Sequence, residues 1–156
     1  MTTAPADGQV DDAGFVRAPA WLVYRRLTDL EGWPGWWSRC RVRPLPPPAG
    51  EPSVERYALD VAVGPLWRLR MAVRPHTWRH DLGFSLAVQG DVDGAAELWL
   101  EETHGGTVVH HLARLWVPGP RPAATVAAYR RAFRRGLWGL KDALHLEART
   151  SAGLTP

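Results

Sequence analysis

Lysine is almost missing from this chain: among its 19 basic side chains, Lys141 alone is not arginine. With abundant alanine, glycine and proline, that bias marks a GC-rich coding sequence, so the net charge of +3 and isoelectric point near 9.6 need no polyanionic partner to explain them. No nucleic-acid recognition motif accompanies the charge, and no nucleic-acid partner is expected. Cysteine is as scarce. Cys40 stands alone, which excludes an intramolecular disulfide and leaves a thiolate zinc site without ligands. No apolar run reaches the ~18 residues at which a membrane span is suspected, and residues 1–9 lack the basic and apolar stretches of a secretory signal. The expectation is a cytoplasmic protein with no membrane span. Gly105-Gly106 is followed by Thr107-Val108 and by strand-like sequence, not by Lys-Ser or Lys-Thr opening a helix, so it reads as a hairpin turn and not a phosphate loop. The histidines have no compact ligand spacing, and adjacent His110 and His111 point to opposite sides of an extended chain. No metal and no cofactor is expected.

What is present is tryptophan, nine residues of it, in a chain of 156 that is 46% hydrophobic. That length and apolar content suit one domain with its own core. Residues 1–12 are small, polar and acidic and read as a disordered leader, residues 13–149 as the domain, and residues 150–156 as a flexible tail. A short extended run ends at Pro19, after which Leu22, Val23 and Leu27 have helical spacing; a second short helix falls around Trp33 to Trp37. From residue 39 to residue 117 the pattern is strand-like. Tyr57, Leu59, Val61 and Val63 alternate with Ala58, Asp60 and Ala62, and Trp67, Leu69, Met71 and Val73 alternate with Arg68, Arg70, Ala72 and Arg74. Further runs at 82–89, 95–102 and 107–117 are joined by short Gly- and Asp-bearing turns, which imply antiparallel hairpins. Residues 122–148 then form one amphipathic helix with Val126, Tyr129, Phe133, Leu137, Leu140 and Leu144 on its apolar stripe. A sheet with one apolar face must be covered, and this helix is the element large enough to do it.

In this order the pieces resemble the SRPBCC (START-like) superfamily, of the polyketide cyclase/dehydrase type. The signposts are Phe15-Val16-Arg17-Ala18-Pro19-Ala20, Leu27-Thr28-Asp29-Leu30-Glu31-Gly32-Trp33-Pro34-Gly35-Trp36-Trp37, Gly90-Asp91-Val92-Asp93-Gly94 and Gly105-Gly106-Thr107-Val108-Val109. The resemblance implies an α+β helix-grip fold: a curved antiparallel β-sheet wrapped around a long C-terminal helix, with two short helices after the first strand. It also implies a cavity between sheet and helix, with Trp33, Trp36 and Trp37 beside its mouth, as a gate or as a hydrophobic plug.

If the odd positions of the last strand face that cavity, His111 points inward with Val109 and Ala113. An imidazole in an apolar pocket can serve as general acid or base, or it can be a core histidine bonded to a neighbour. Tyr57 and Tyr129, on inward faces, can hydrogen-bond a ligand oxygen or simply be core aromatics. His111, Tyr57 and Tyr129 are thus the candidate catalytic residues. The candidate ligand wall is Trp37, Leu59, Trp67, Leu69, Met71, Phe84, Val109, Ala113, Phe133 and Leu137, apolar side chains that stack on a flat molecule or pack a core. The function expected is binding of a hydrophobic, aromatic or polyketide-like small molecule in an internal cavity, with its cyclisation or dehydration as the enzymatic reading. The alternative is a non-catalytic carrier or sensor of a lipid, isoprenoid or pigment. Trp99, Trp116 and Trp138 fall off the core faces and suggest a partner surface or a homodimer.

Overall fold

A computed structural model describes residues 4–152, with side chains to residue 150. The termini of the expected leader and tail, residues 1–3 and 153–156, lie outside the described residues. Seven strands form one curved, open antiparallel sheet: β1 (Gly8–Val16), β2 (Cys40–Leu45), β3 (Arg56–Ala62), β4 (Arg68–Arg79), β5 (Gly83–Gly90), β6 (Asp93–Thr103) and β7 (Gly106–Trp116). Their order is β1-β7-β6-β5-β4-β3-β2, so consecutive β1 and β2 occupy opposite edges. The chain crosses between those edges through α1 (Ala20–Thr28) and a 3-10 helix (Leu30–Gly35). Pro19 sits at the N-cap of α1, and Asp29 caps the 3-10 helix by accepting from Gly32 N–H. Trp33 locks this crossing in place: it is buried, and its indole N–H donates to the Leu27 carbonyl at 2.9 Å.

β1 begins at Gly8, inside the segment read as a leader. The polar composition of residues 8–12 hid a period-two pattern in which Val10, Asp12 and Val16 face inward while Gln9, Asp11 and Phe15 face out. At the other end the helix runs on through the start of the expected tail: α2 spans Pro122–Ala152.

The inner face of the sheet is apolar because the strands alternate: Leu59 and Val61, Leu69, Met71 and Val73, Phe84, Leu86 and Val88, Leu98 and Leu100, and Val109 and Leu115 are all buried. The inner stripe of α2 is rotated slightly from the one its spacing predicts. Ala128, Tyr129, Ala132, Phe133, Leu140 and Leu144 are buried, whereas Val126 and Leu137 are half-buried. Burial of a large apolar side chain is worth about 1.5–3 kcal/mol, so the rotation keeps Phe133, Leu140 and Leu144 fully inside. The alanines and Gly136 between them let other elements approach the helix closely.

Candidate functional site

The inner stripe of α2 brings Tyr129 over the middle of β7, where His111 points up from the sheet. Their polar atoms meet: His111 Nε2 lies 3.0 Å from the Tyr129 hydroxyl, and both side chains are fully buried. The expected inward register of Val109, His111 and Ala113 is the register observed. Phe133, one turn along α2, stacks on the imidazole at 4.4 Å between ring centroids. Trp37 meets Phe133 edge-on at 4.9 Å, and Trp36 stacks on Trp37 at 6.1 Å. A continuous aromatic path therefore runs from partly exposed Trp36 inward through Trp37 and Phe133 to His111 and Tyr129.

Two polar nitrogens on this path are buried without a partner among the described residues, Nε1 of Trp36 and Nδ1 of His111. Burial holds the His111 pKa down at about 4, against a smaller upward pull from the Asp12 carboxylate. Burial also raises the Tyr129 phenol well above its ordinary value. Both groups are therefore uncharged near neutral pH. Asp12 lies opposite His111 in the β1–β7 register. Its carboxylate accepts from Arg130 at 2.9 Å and Arg134 at 3.0 Å, two arginines one turn apart on α2 whose own side chains are about half exposed. The hydrogen bond from Arg130 is the main cause lowering the Asp12 pKa, and burial opposes it.

Tyr57 does not join this group. It shares the inward face of β3 but sits at the start of that strand, where the hydroxyl is paired with the Glu55 carboxylate at 3.4 Å. Partial burial, then the charges of Glu55, Glu31 and Asp29, raise its pKa. Trp67 also lies outside the buried wall, half-buried, with the Arg121 guanidinium 5.6 Å over its ring. Among the other expected wall residues, Trp37, Leu59, Leu69, Met71, Phe84, Val109, Ala113 and Phe133 are buried, and Leu137 is half-buried. Cys40 is buried too, and burial pushes its thiol up to about 12, so it is no nucleophile.

Two residues that sequence reasoning missed set how closely the Trp36-Trp37 turn approaches α2. A Cβ at Gly136 would come within 2.7 Å of the Trp37 ring, and one at Gly139 would overlap the Trp36 carbonyl oxygen. These glycines let the Trp36-Trp37 turn lie against α2. The available signal was their cost, since each glycine inside a helix is about 1 kcal/mol less favourable than alanine.

The outer face offers grooves of a different kind. One of about 560 Å³ has Arg41, Arg43, Asp60 and Arg70 around Ala58 and Ala72. Of the outward tryptophans, Trp99 stacks on His110 at 3.9 Å and Trp116 donates to the Ala4 carbonyl at 3.1 Å. Trp138 stands free at 73% exposure. No helix among the described residues is long and apolar enough to cross a membrane.

No protein-family model matches the sequence, and no curated protein sequence matches it. Solved structures do match in shape. TTHA0849 from Thermus thermophilus superposes with a TM-score of 0.72 at 16% identity, covering 95% of this chain and 100% of that one. A START superfamily protein from Mycobacterium smegmatis gives 0.65 at 16% identity over 87% of this chain and 98% of that one. An aromatase/cyclase from a Streptomyces species gives 0.63 at 18% identity over 91% and 93%. Seven antiparallel strands curved about one long C-terminal helix give this chain a helix-grip fold like that of these START-like proteins.

Proposed function

We propose that this protein binds a hydrophobic, flat small molecule between the sheet and α2, along the aromatic path that leads to His111 and Tyr129. The observation that carries the reading is the His111 side chain, fully buried with Nε2 paired to Tyr129 and Nδ1 unpaired among the described residues. A buried polar atom without a partner is expensive, typically ~1–3 kcal/mol, and a bound molecule that reaches it recovers that loss. The aromatic rings of Trp37 and Phe133 supply the stacking surface. Because these side chains pack against one another, admission of a ligand requires the Trp36-Trp37 turn to shift off α2. That an aromatase/cyclase and a START superfamily protein share the fold supports small-molecule binding on this scaffold.

A catalytic reading is favoured by one feature, the hydrogen-bonded His111–Tyr129 pair itself. With its pKa held at about 4, however, the imidazole is a weak base at neutral pH, better able to polarise a bound oxygen than to remove a proton. Binding is therefore the primary reading, and cyclisation or dehydration would follow from orientation of the bound chain. The test is native mass spectrometry of the freshly purified protein, with titration of tryptophan fluorescence by 2-ethylnaphthalene. A co-purifying small molecule or saturable one-to-one quenching is expected. The absence of both a retained molecule and saturable quenching would sink the reading.

A further inference from the structure

Strand pairing builds the groove over Ala58 and Ala72 on the outer face of the sheet. It sets Arg41, Asp60 and Arg70 side by side in one row, and Arg43, Ala58, Ala72 and Gln89 in the next. Alternation turns all of them away from the core. Ala58 and Ala72 end at Cβ, so the surface is low between the long side chains that flank them. The volume of about 560 Å³ suits a small organic molecule.

The guanidinium groups around this groove are unequally occupied. Arg68 donates to the Asp60 carboxylate and, at 3.2 Å, to the Arg39 carbonyl. Arg70 Nε lies 3.8 Å from Asp60, and its backbone N–H donates to Asp91 at 2.9 Å, so two carboxylates stand at its end of the groove. The side chains of Arg41 and Arg43 are exposed and have no hydrogen-bond or ion-pair partner among the described residues. They stand about 7 Å apart along β2. Asp60 and Asp91 offset Arg68 and Arg70, which leaves the charges of Arg41 and Arg43 in excess.

We propose that this groove binds a phosphate monoester with an uncharged organic body, its phosphoryl group held between Arg41 and Arg43 and its body lying over Ala58 and Ala72 toward Gln89. A phosphate monoester carries about −1.5 to −2 charges at pH 7 and has three terminal oxygens, enough to engage two guanidinium forks at once. A carboxylate brings half that charge and two oxygens to divide between them. Asp60 and Asp91 repel an anion from the Arg70 end, so the organic part occupies that end. The alanine floor gives it apolar contact, and the Gln89 amide can pair with one polar group on it. The groove is separate from the interior, so its test is independent of the binding reading above.

Amide chemical shifts of the full chain are followed during titration with phenyl phosphate, and with inorganic phosphate and phenol as its two halves. Phenyl phosphate is expected to move the Arg41, Arg43, Ala58 and Ala72 signals saturably and to bind more tightly than inorganic phosphate, whereas phenol moves none of them. Arg41→Gln combined with Arg43→Gln should weaken phenyl phosphate about tenfold. Arg131→Gln combined with Arg135→Gln, which removes the same charge from the exposed side of α2, should leave its affinity within about twofold, because salt screens distant charges. Equal weakening in the two double variants would mean attraction to overall charge and overturns the site. No saturable movement, or movement confined to other parts of the sheet, also overturns it. Equal affinity for phenyl phosphate and inorganic phosphate overturns the monoester assignment.

Discussion

Asp12 and His111 are directly opposed across the β1–β7 pair, one an ionised carboxylate held by two arginines and the other a neutral imidazole held by a phenol. Their pKa values both fall on folding, for opposite reasons: the hydrogen bond from Arg130 favours the charged form of Asp12, whereas burial disfavours the charged form of His111. Two groups on one strand pair therefore destabilise the fold in adjoining windows as acid is added.

For His111 the window lies between the unfolded value of 6.5 and the folded value of about 4. Within it the unfolded chain binds the proton and the folded one does not, so stability drops as pH falls and levels off below about 4. The full loss is on the order of 3 kcal/mol. Asp12 adds its own loss only below its ordinary value of 3.8. Denaturant unfolding at a series of pH values should give a slope between pH 6.5 and 4 that His111→Phe flattens; equal slopes in the two proteins would refute this.

Tyr129→Phe removes the hydroxyl and strands Nε2 of His111 in an apolar interior. A loss of about 1–3 kcal/mol is expected. Combined with His111→Phe, the second substitution should cost less than it does alone, because the group it strands is already gone. Urea unfolding of the two single variants and the double variant measures this coupling, and strict additivity would contradict it.

Phe133 touches Trp37, His111 and Tyr129 at once. Phe133→Ala should cost ~3–5 kcal/mol if the interior closes poorly around the gap. Addition of 2-ethylnaphthalene should recover part of that loss in the thermal midpoint, since a ring-sized hole lined by aromatics takes up an aromatic guest.

Ala113 is buried on β7, with Ala96 of β6 and Val10 of β1 as its cross-strand partners. Small residues side by side leave the room a ligand would use. Ala113→Trp is expected to abolish quenching by 2-ethylnaphthalene; undiminished affinity in a folded variant would place the ligand elsewhere.

Gly139→Ala tests the contact between α2 and the Trp36-Trp37 turn. On helix propensity alone the change would stabilise by about 1 kcal/mol, yet the new methyl would overlap the Trp36 carbonyl. The overlap should win, lowering stability by ~1–3 kcal/mol, and the thermal midpoint shows which sign holds.

The strands and the long helix were legible because each exposes one apolar face, and the alternation through Val109, His111 and Ala113 placed His111 correctly. Parity gives the face of a strand but not the height along it, which is why Tyr57 shared a face with the core and still ended beside Glu55. Asp12 was unreadable for a different reason. Its arginine partners lie 118 and 122 residues away, and an isolated carboxylate in a polar stretch carries no local sign of them. The Trp36-Trp37 contact with α2 left its trace only as two glycines in an otherwise good helix.

The edge strand β2 has one neighbour, β3, and leaves its other side open. Pro44 deletes an N–H there, and exposed Arg41 and Arg43 line the same short segment. A strand from another molecule would find a broken ladder and like charges along it, so the sequence of β2 opposes sheet extension at this end.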